Sequence, residues 1–401
     1  MKFKIKDTYP ILAFCIIIIQ LFYDYPNIIF FAKTPITFIS LVILFRQVRL
    51  SLSLKYVFIY LYLISVFLSY IYNINSVPPK DFLVGLSILF IPIGFLNALL
   101  INKTEPLVLN NDLFKIQTYI TYGAGLILLY TSIFGSFTEF EGLGVRFMTR
   151  AISPSVIALN ANLILIFCLL NIGKKNIFFY TLLIVVSFAL LVLSISKSGI
   201  VISILALLYV GFMRKKYIHI LIAFLIITIA FLILLPHLPA LEFLSNYLDK
   251  DPTQNVSGRS VIWETCEKLI NDNFSLGYGY NSAARILTKK FQYFLVEQAH
   301  NAYYESMINI GFLGTSILGI YITKVLIKAI RYFSQIRGNT VLSYSLFIII
   351  MQIVRGYTEA SFCQANNVIE VTIFLLSIFI IDYYPYSTAK SKLNYNIYKQ
   401  K

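Results

Sequence analysis

A small set of side chains in this 401-residue chain has chemistry that could act together: one histidine, several cations and a few carboxylates in or beside apolar runs. His300 opens the stretch HNAYYESMINIGFLG, which reads as the first turn of a long apolar helix. It is one of only three histidines. An unperturbed imidazole titrates near ~6.5, so it can take a proton at neutral pH. A helix-end histidine with no catalytic role fits the same residues. Arg259, Arg355, Arg146 and Lys197 suit an anion, and a diphosphate most of all. Arg offers a planar fork to phosphate oxygens and Lys a compact point charge. Each also fits as a loop charge or an interface anchor. Glu359 can pair with Arg355 at i,i+4, or it can orient or assist a base. Glu305 and Glu370 lie inside apolar runs, where carboxylates are costly and tend to be functional. Asn301 adjoins His300 and completes the candidate set. His219 and His237 read as structural. The chain has no HExxH, no Cys/His cluster, no EF-hand loop, no P-loop and no dinucleotide fingerprint. Chemistry without a metal, a nucleotide or another cofactor is therefore expected.

These residues need a scaffold, and the composition says which kind. The chain is 58% hydrophobic and 13% charged, with a mean hydropathy of +0.78. Many apolar runs approach the ~20 residues that cross a bilayer. An all-α, polytopic membrane protein is expected, a single membrane domain over 1–401. Helices are expected near 10–23, 28–45, 56–73, 82–101, 113–135, 152–172, 176–194, 199–213, 217–236, 300–323, 341–358 and 367–384. That is twelve, with eleven or thirteen also compatible. The basic start followed by an apolar run lacks a small-residue cleavage site, so it reads as a retained first span. With the N-terminus inside, alternate loops collect 21 of the 33 basic residues and only Asp7, Glu105, Asp112 and Asp382 among the acids. The positive-inside rule then puts both termini in the cytoplasm. The net charge of +15 becomes an orientation signal rather than a sign of nucleic-acid binding.

On the outer side the longest segment, 237–299, is too long for a plain connection. It carries two helical patterns. One opens at Ser257, a reasonable N-cap, with Val261, Ile262, Thr265 and Leu269 as a stripe. The other, SAARILTKKFQYFLVEQ, has an apolar face of Ile286, Leu287, Phe291, Phe294 and Leu295 and a basic face of Arg285, Lys289 and Lys290. Gly277 and Gly279 punctuate the chain between them. A cap lying on the membrane, its basic residues against headgroups, fits this pattern. The same outer face receives Arg146, Arg150, Lys197, His300, Arg355 and Glu359. Polar groups from separate spans thus meet where an amphiphilic substrate could sit. Cys266 and Cys363 can both lie outside, which leaves a disulfide between them open. Gly311 and Gly314 read as aids to close helix packing.

Several pieces, taken in order, resemble the O-antigen ligase and Wzy-type polymerase superfamily. GVRFMTRAISPSVIAL at 144–159 looks like its external Arg-containing segment leading into a span. LSISKSGI at 193–200 looks like its Ser-Arg-Ser/Thr-Gly turn, with Lys197 where Arg is usual. GRSVIWETCEKLI followed by LGYGYNSA looks like its loop helix and glycine turn. HNAYYESMINIGFLG carries the His-Asn, nine residues, Gly, two residues, Gly pattern. RGYTEASF resembles the polar end of the penultimate span. The likeness covers roughly 144–370; the first 140 residues are similar only in being apolar spans. It implies a metal-independent glycosyltransferase on the periplasmic face of the bacterial inner membrane. The donor would be a saccharide on undecaprenyl diphosphate and the acceptor a second glycan. His300 is then the base, and Arg259 and Lys197 contact the diphosphate. Lys197 loses the bidentate geometry of Arg.

Three readings follow. In a polymerase, one lipid-linked repeat accepts a growing glycan from another; a chain-length regulator is then a natural partner. In a ligase, lipid A-core is the acceptor. The short outer segment 135–151 leans to ligase, and the loose motifs with Lys197 lean to polymerase. A transporter or flippase is the third, though internal repeats of the kind transporters show are not seen between the halves. Membrane lipids are partners in every case; nucleic acid is not.

Overall fold

A computed structural model describes residues 56–79, 82–83, 85–86, 89, 92–93, 106–140, 144–149, 152–172, 177–194, 196–215, 252–291, 296, 298–360 and 368–386. The expected spans 10–23, 28–45 and 217–236, most of 82–101, and the residues Arg150 and Cys363 lie outside these. In chain order the elements are α1 (Val57–Tyr72), α2 (Pro106–Phe134), β1 (Ser136–Phe140), β2 (Gly144–Met148), α3 (Pro154–Asn171), α4 (Ile177–Leu193) and α5 (Lys197–Arg214). Next come α6 (Pro252–Asp272), α7 (Ala283–Lys290), α8 (Ala302–Arg331), α9 (Phe333–Gly338), α10 (Thr340–Arg355) and α11 (Val368–Tyr383).

The fold is almost wholly helical, and helices occupy the expected segments from 56–73, 113–135, 152–172, 176–194, 199–213, 300–323, 341–358 and 367–384. By length and composition α3, α5 and α8 can cross a membrane, and α1, α4 and α10 are shorter apolar helices. The outward faces carry Leu61, Ile64 and Ile71 on α1, Phe178 and Leu182 on α4, and Ile320 and Ile327 on α8. Such surfaces suit lipid rather than water. This is a membrane protein.

One element departs from the all-α expectation. Segment 136–148 folds as an antiparallel hairpin in which Ser136 faces Met148 and Thr138 faces Arg146. Phe137, Thr138, Val145 and Phe147 are strand formers. The following helix starts in a conventional way, with Pro154 at its first position after Ser153. Pro's missing N–H costs nothing there.

At the centre stands α3, packed against α2, α4, α5 and α10. Gly199 of α5 brings that helix close: a Cβ there would stand 2.6 Å from that of Ala158, and its carbonyl accepts from Asn162 Nδ2 at 3.1 Å. A second group has α8 against α1, α6 and α11. The contacts sort the helix termini into two ends. At one, Asp382 receives Lys324 Nζ at 2.9 Å and Lys328 Nζ at 3.6 Å. Arg337 there donates to the carbonyls of Met213 and Phe212 at the C-terminus of α5, both at 2.9 Å. Cations placed so also suit the negative end of the helix dipole. At the other end lie the starts of α3, α5, α8 and α11 and the end of α10, with the candidate residues.

Candidate functional site at the start of α8

The first turn of α8 is fixed from several directions. Asn301 is its N-cap: Oδ1 accepts from the N–H groups of Tyr303 at 2.9 Å and Tyr304 at 3.2 Å. A cap of this kind contributes about 1 kcal/mol. The Asn301 amide also reaches the Tyr357 carbonyl at 3.4 Å, and the Ala302 N–H donates to Gly356 O at 2.8 Å. Asn301 therefore does structural work that ties α8 to the turn after α10.

His300 precedes this cap with φ +49°, in the left-handed region. That region costs an L-residue about 1–2 kcal/mol, although His tolerates it better than most. The ring is half-buried, and its Nδ1 is enclosed without a hydrogen-bond partner. Burial, and then the positive charge of Arg259, lower the His300 pKa to about 4. The imidazole is therefore neutral at neutral pH.

Arg259 comes from α6, which starts at Pro252. Ser257 thus lies inside the helix and is not its cap. The Arg259 guanidinium donates to Thr358 O at 3.0 Å and lies 3.9 Å from Glu359 Oε1. It is 41% exposed and Glu359 16%, so this pair is loose and half-open to an incoming anion. Of the two roles expected for Glu359, the i,i+4 pair with Arg355 does not form. Instead Glu359 turns to Arg259.

Arg355 points inward, 2.7 Å from Glu370 Oε2, with side-chain exposures of 4% and 3%. Its Nη2 also donates to the carbonyl and hydroxyl of Ser155, at 3.1 and 2.5 Å. The pair locks the end of α10 to the starts of α11 and α3. Arg355 is thus committed to the protein interior rather than presented to a substrate. Replacing one member of a buried pair strands the other, at about 3–5 kcal/mol, whereas apolar replacement of both is often tolerated. Glu370→Gln is expected to lower the thermal midpoint in detergent or nanodiscs, and Arg355→Met with Glu370→Leu to recover most of the loss.

Lys197 is exposed at the start of α5, behind the Ser196 N-cap. It shares the His300 end, because α5 meets α3 at Ala158, α3 meets α10 through Ser155 and Arg355, and α10 meets α8 at Gly356. Arg146 sits on β2 opposite Thr138, just before α3. The residues brought together directly are His300, Arg259 and Glu359, with Asn301 beside them.

The loop between α6 and α7 docks into α8 itself. At Gly311 the helix breaks, with φ +63° and ψ −170°. Ile308 O then accepts from Tyr278 N at 2.7 Å, and the N–H groups of Phe312 and Leu313 donate to Phe274 O at 2.8 Å and Ser275 O at 3.2 Å. Gly277, at φ +66°, fits against this break, where a Cβ would stand 2.6 Å from Gly311 N. The Ser69 hydroxyl of α1 meets Leu276 O and Asn309 O at 2.5 and 2.9 Å, and Asn73 Nδ2 donates to Gly277 O at 2.9 Å. Asn309 Oδ1 accepts from Ser282 N and Ala283 N, both at 3.0 Å, and so caps α7 from another helix. Gly311 is therefore not a helix-packing glycine; it is where α8 opens to receive loop backbone. Gly314 packs against the side chain of Ile310 in its own helix. On the buried face of α6, Cys266 is a free thiol.

Sequence reasoning missed Ser69, Asn73, Asn309 and Trp263. A polar side chain inside an apolar run was the available signal for Asn309, by the argument that picked out Glu305.

Residues 182–319 match the family model described as O-antigen ligase. This stretch takes in α5, the docked loop, His300 and the break at Gly311, about a third of the chain. It supports placing the chain in the O-antigen ligase/Wzy superfamily of glycosyltransferase-like membrane enzymes. No curated protein matches the chain.

Proposed function

We propose that this protein transfers a saccharide from undecaprenyl diphosphate to a sugar hydroxyl, acting as an O-antigen (surface polysaccharide) polymerase at the periplasmic face of the bacterial inner membrane. The observation that supports the transfer chemistry is a neutral, partly enclosed imidazole at the end of a span, with a half-exposed guanidinium beside it. In the reaction the acceptor O–H loses its proton to His300, the acceptor oxygen bonds to the anomeric carbon, and the bond from that carbon to the diphosphate breaks. With Nδ1 enclosed, the acceptor meets the ring at Nε2. Undecaprenyl diphosphate leaves with the charge, and Arg259 and Lys197 offset it. A lipid diphosphate is already a good leaving group, so no nucleotide is required. Glu359 holds Arg259 toward the site until a diphosphate displaces it.

Donor binding would also strengthen the base. An anion on Arg259 cancels the charge that helps depress His300, so the imidazole pKa rises in the complex. Only the neutral ring can act as base, so rate falls as pH drops through its pKa. The acid limb of kcat/KM, which reports free enzyme, is expected near pH 4; the acid limb of kcat is expected at higher pH. Coincident limbs in a pH–rate series would count against this coupling.

Deleting the gene and examining the surface polysaccharide tests the function. Core capped with a single repeat is the expected result. Bare core with lipid-linked polymer accumulating would make the protein a ligase. Loss of all periplasmic lipid-linked sugar would make it a flippase.

A further inference from the structure

We propose that Glu305 is a positioning residue, which with Trp263 clamps Ala299 and so holds His300 in its left-handed conformation. The inference rests on reading His300 as the base. Ala299 is fully buried, and it is gripped on both polar groups. Its N–H donates to Glu305 Oε2 at 2.9 Å, and its carbonyl accepts from Trp263 Nε1 at 3.0 Å. On the far side of His300, Asn301 caps α8 and the Ala302 N–H is tied to Gly356 O. A backbone in a rarely adopted region persists only when its surroundings over-determine it. Here both flanks of His300 are fixed by groups from outside the turn.

Glu305 is not occupied as a cap. Asn301 does that work, and Glu305, in the first turn of α8, reaches back beyond the cap to Ala299. At 2% exposure the carboxylate is enclosed rather than open to a substrate. A buried carboxylate is costly, yet the contact it makes bears on the residue before His300. It therefore acts through His300. Trp263 extends the arrangement to the cation. It follows Arg259 by one turn on α6, and its ring packs beside that of Tyr304, whose hydroxyl donates to Glu267 at 2.7 Å. One helix thus carries both the anion-binding group and half of the clamp, which sets the spacing between guanidinium and imidazole.

The test uses the full chain in nanodiscs, with lipid-linked repeat units extracted from a strain lacking the gene. Glu305→Ala is expected to lower kcat by about 10–100-fold, since misplacement of a reacting group by an ångström can cost that much. KM for the donor should stay within about two-fold, because Arg259 is untouched. Glu305→Gln keeps an acceptor oxygen for Ala299 and should restore kcat. Trp263→Phe removes the other half and should also lower kcat, and the double variant should fall short of the product of the two losses. Trp263 is the chain's single tryptophan, so its emission reports the clamp without any assay of turnover. The emission should shift to the red in Glu305→Ala and match wild type in Glu305→Gln. If Glu305→Ala fails to fold, Glu305→Gln and Trp263→Phe still decide. Wild-type kcat in Glu305→Ala or Trp263→Phe overturns the proposal. So does a Glu305→Gln protein with wild-type emission and no turnover, because the carboxylate's charge or proton would then be needed. A fully active His300→Asn protein would instead overturn the base assignment itself.

Discussion

His300→Asn is expected to leave a folded protein whose turnover is lower by about 10²–10⁴-fold, the usual share of a positioned general base. Asparagine is the informative replacement. The backbone at this position has φ +49°, and Asn is among the few residues that adopt such a conformation readily. Alanine would mix two effects, loss of the base and strain in the turn. Asparagine keeps the turn and a polar side chain but cannot take a proton near neutral pH. Its thermal midpoint should stay close to wild type. The imidazole Nδ1 has no hydrogen-bond partner to lose, and the cap rests on Asn301 rather than on His300. KM for the lipid-linked donor should change little, because Arg259 and Glu359 remain. Turnover and midpoint measured on the same preparation check this. A folded His300→Asn protein with wild-type turnover would show that the histidine is only a helix-end residue.

How much of this arrangement could be read beforehand depended on the range of the interactions. Apolar runs are local, so the helices now labelled α1, α2, α3, α4, α5, α8, α10 and α11 were legible. His300 and Asn301 at the start of α8 were legible for the same reason. Glu305 stood out because a carboxylate in an apolar run must have a reason to be there. Partnerships between distant segments were not legible. Glu359 had a neighbour of the right charge at i,i+4, yet Arg355 faces Glu370 in the next helix and Arg259 arrives from the loop. Spacing can propose a local pair; it cannot show that a better-enclosed partner comes from another span. The hairpin of β1 and β2 was hidden because a short segment between two long helices carries little periodic signal. Gly311 was misread for a related reason. A Gly-x-x-Gly in an apolar helix is a packing motif in most settings, and only the loop backbone that enters the break shows otherwise.

Gly311→Ala should be among the most damaging single changes in the described part of the chain. Two costs add at this position. With φ +63° and ψ −170° the residue occupies a region that is essentially confined to glycine, a strain of about 1–3 kcal/mol for alanine. A Cβ would also stand 2.5 Å from Gly277 N and Ser275 O. Both are backbone atoms, which cannot swing aside as a side chain can, and overpacking of this kind costs about a further 1–3 kcal/mol. Relief would require the segment Phe274–Tyr278 to leave the break in α8, with loss of the bonds from Phe312 N, Leu313 N and Tyr278 N. That segment connects α6 to α7, so its departure would loosen Arg259 from His300. Both a lower thermal midpoint and a loss of turnover are therefore expected. Gly277→Ala meets the same backbone from the other side, with a Cβ 2.6 Å from Gly311 N and Ile308 O. Once either change has opened the joint, the second has less left to disrupt, so the pair should be less than additive. Gly319→Ala is the control. It lies in the same helix with no atom within 4 Å of a new Cβ, and alanine there should be neutral or stabilising by up to about 1 kcal/mol. If Gly311→Ala matched Gly319→Ala in midpoint and turnover, the docking of the loop into α8 would not hold. The joint ties the site's geometry to backbone: His300 stands just before α8, Arg259 stands on α6, and two glycines let the backbones of α8 and the loop that follows α6 meet.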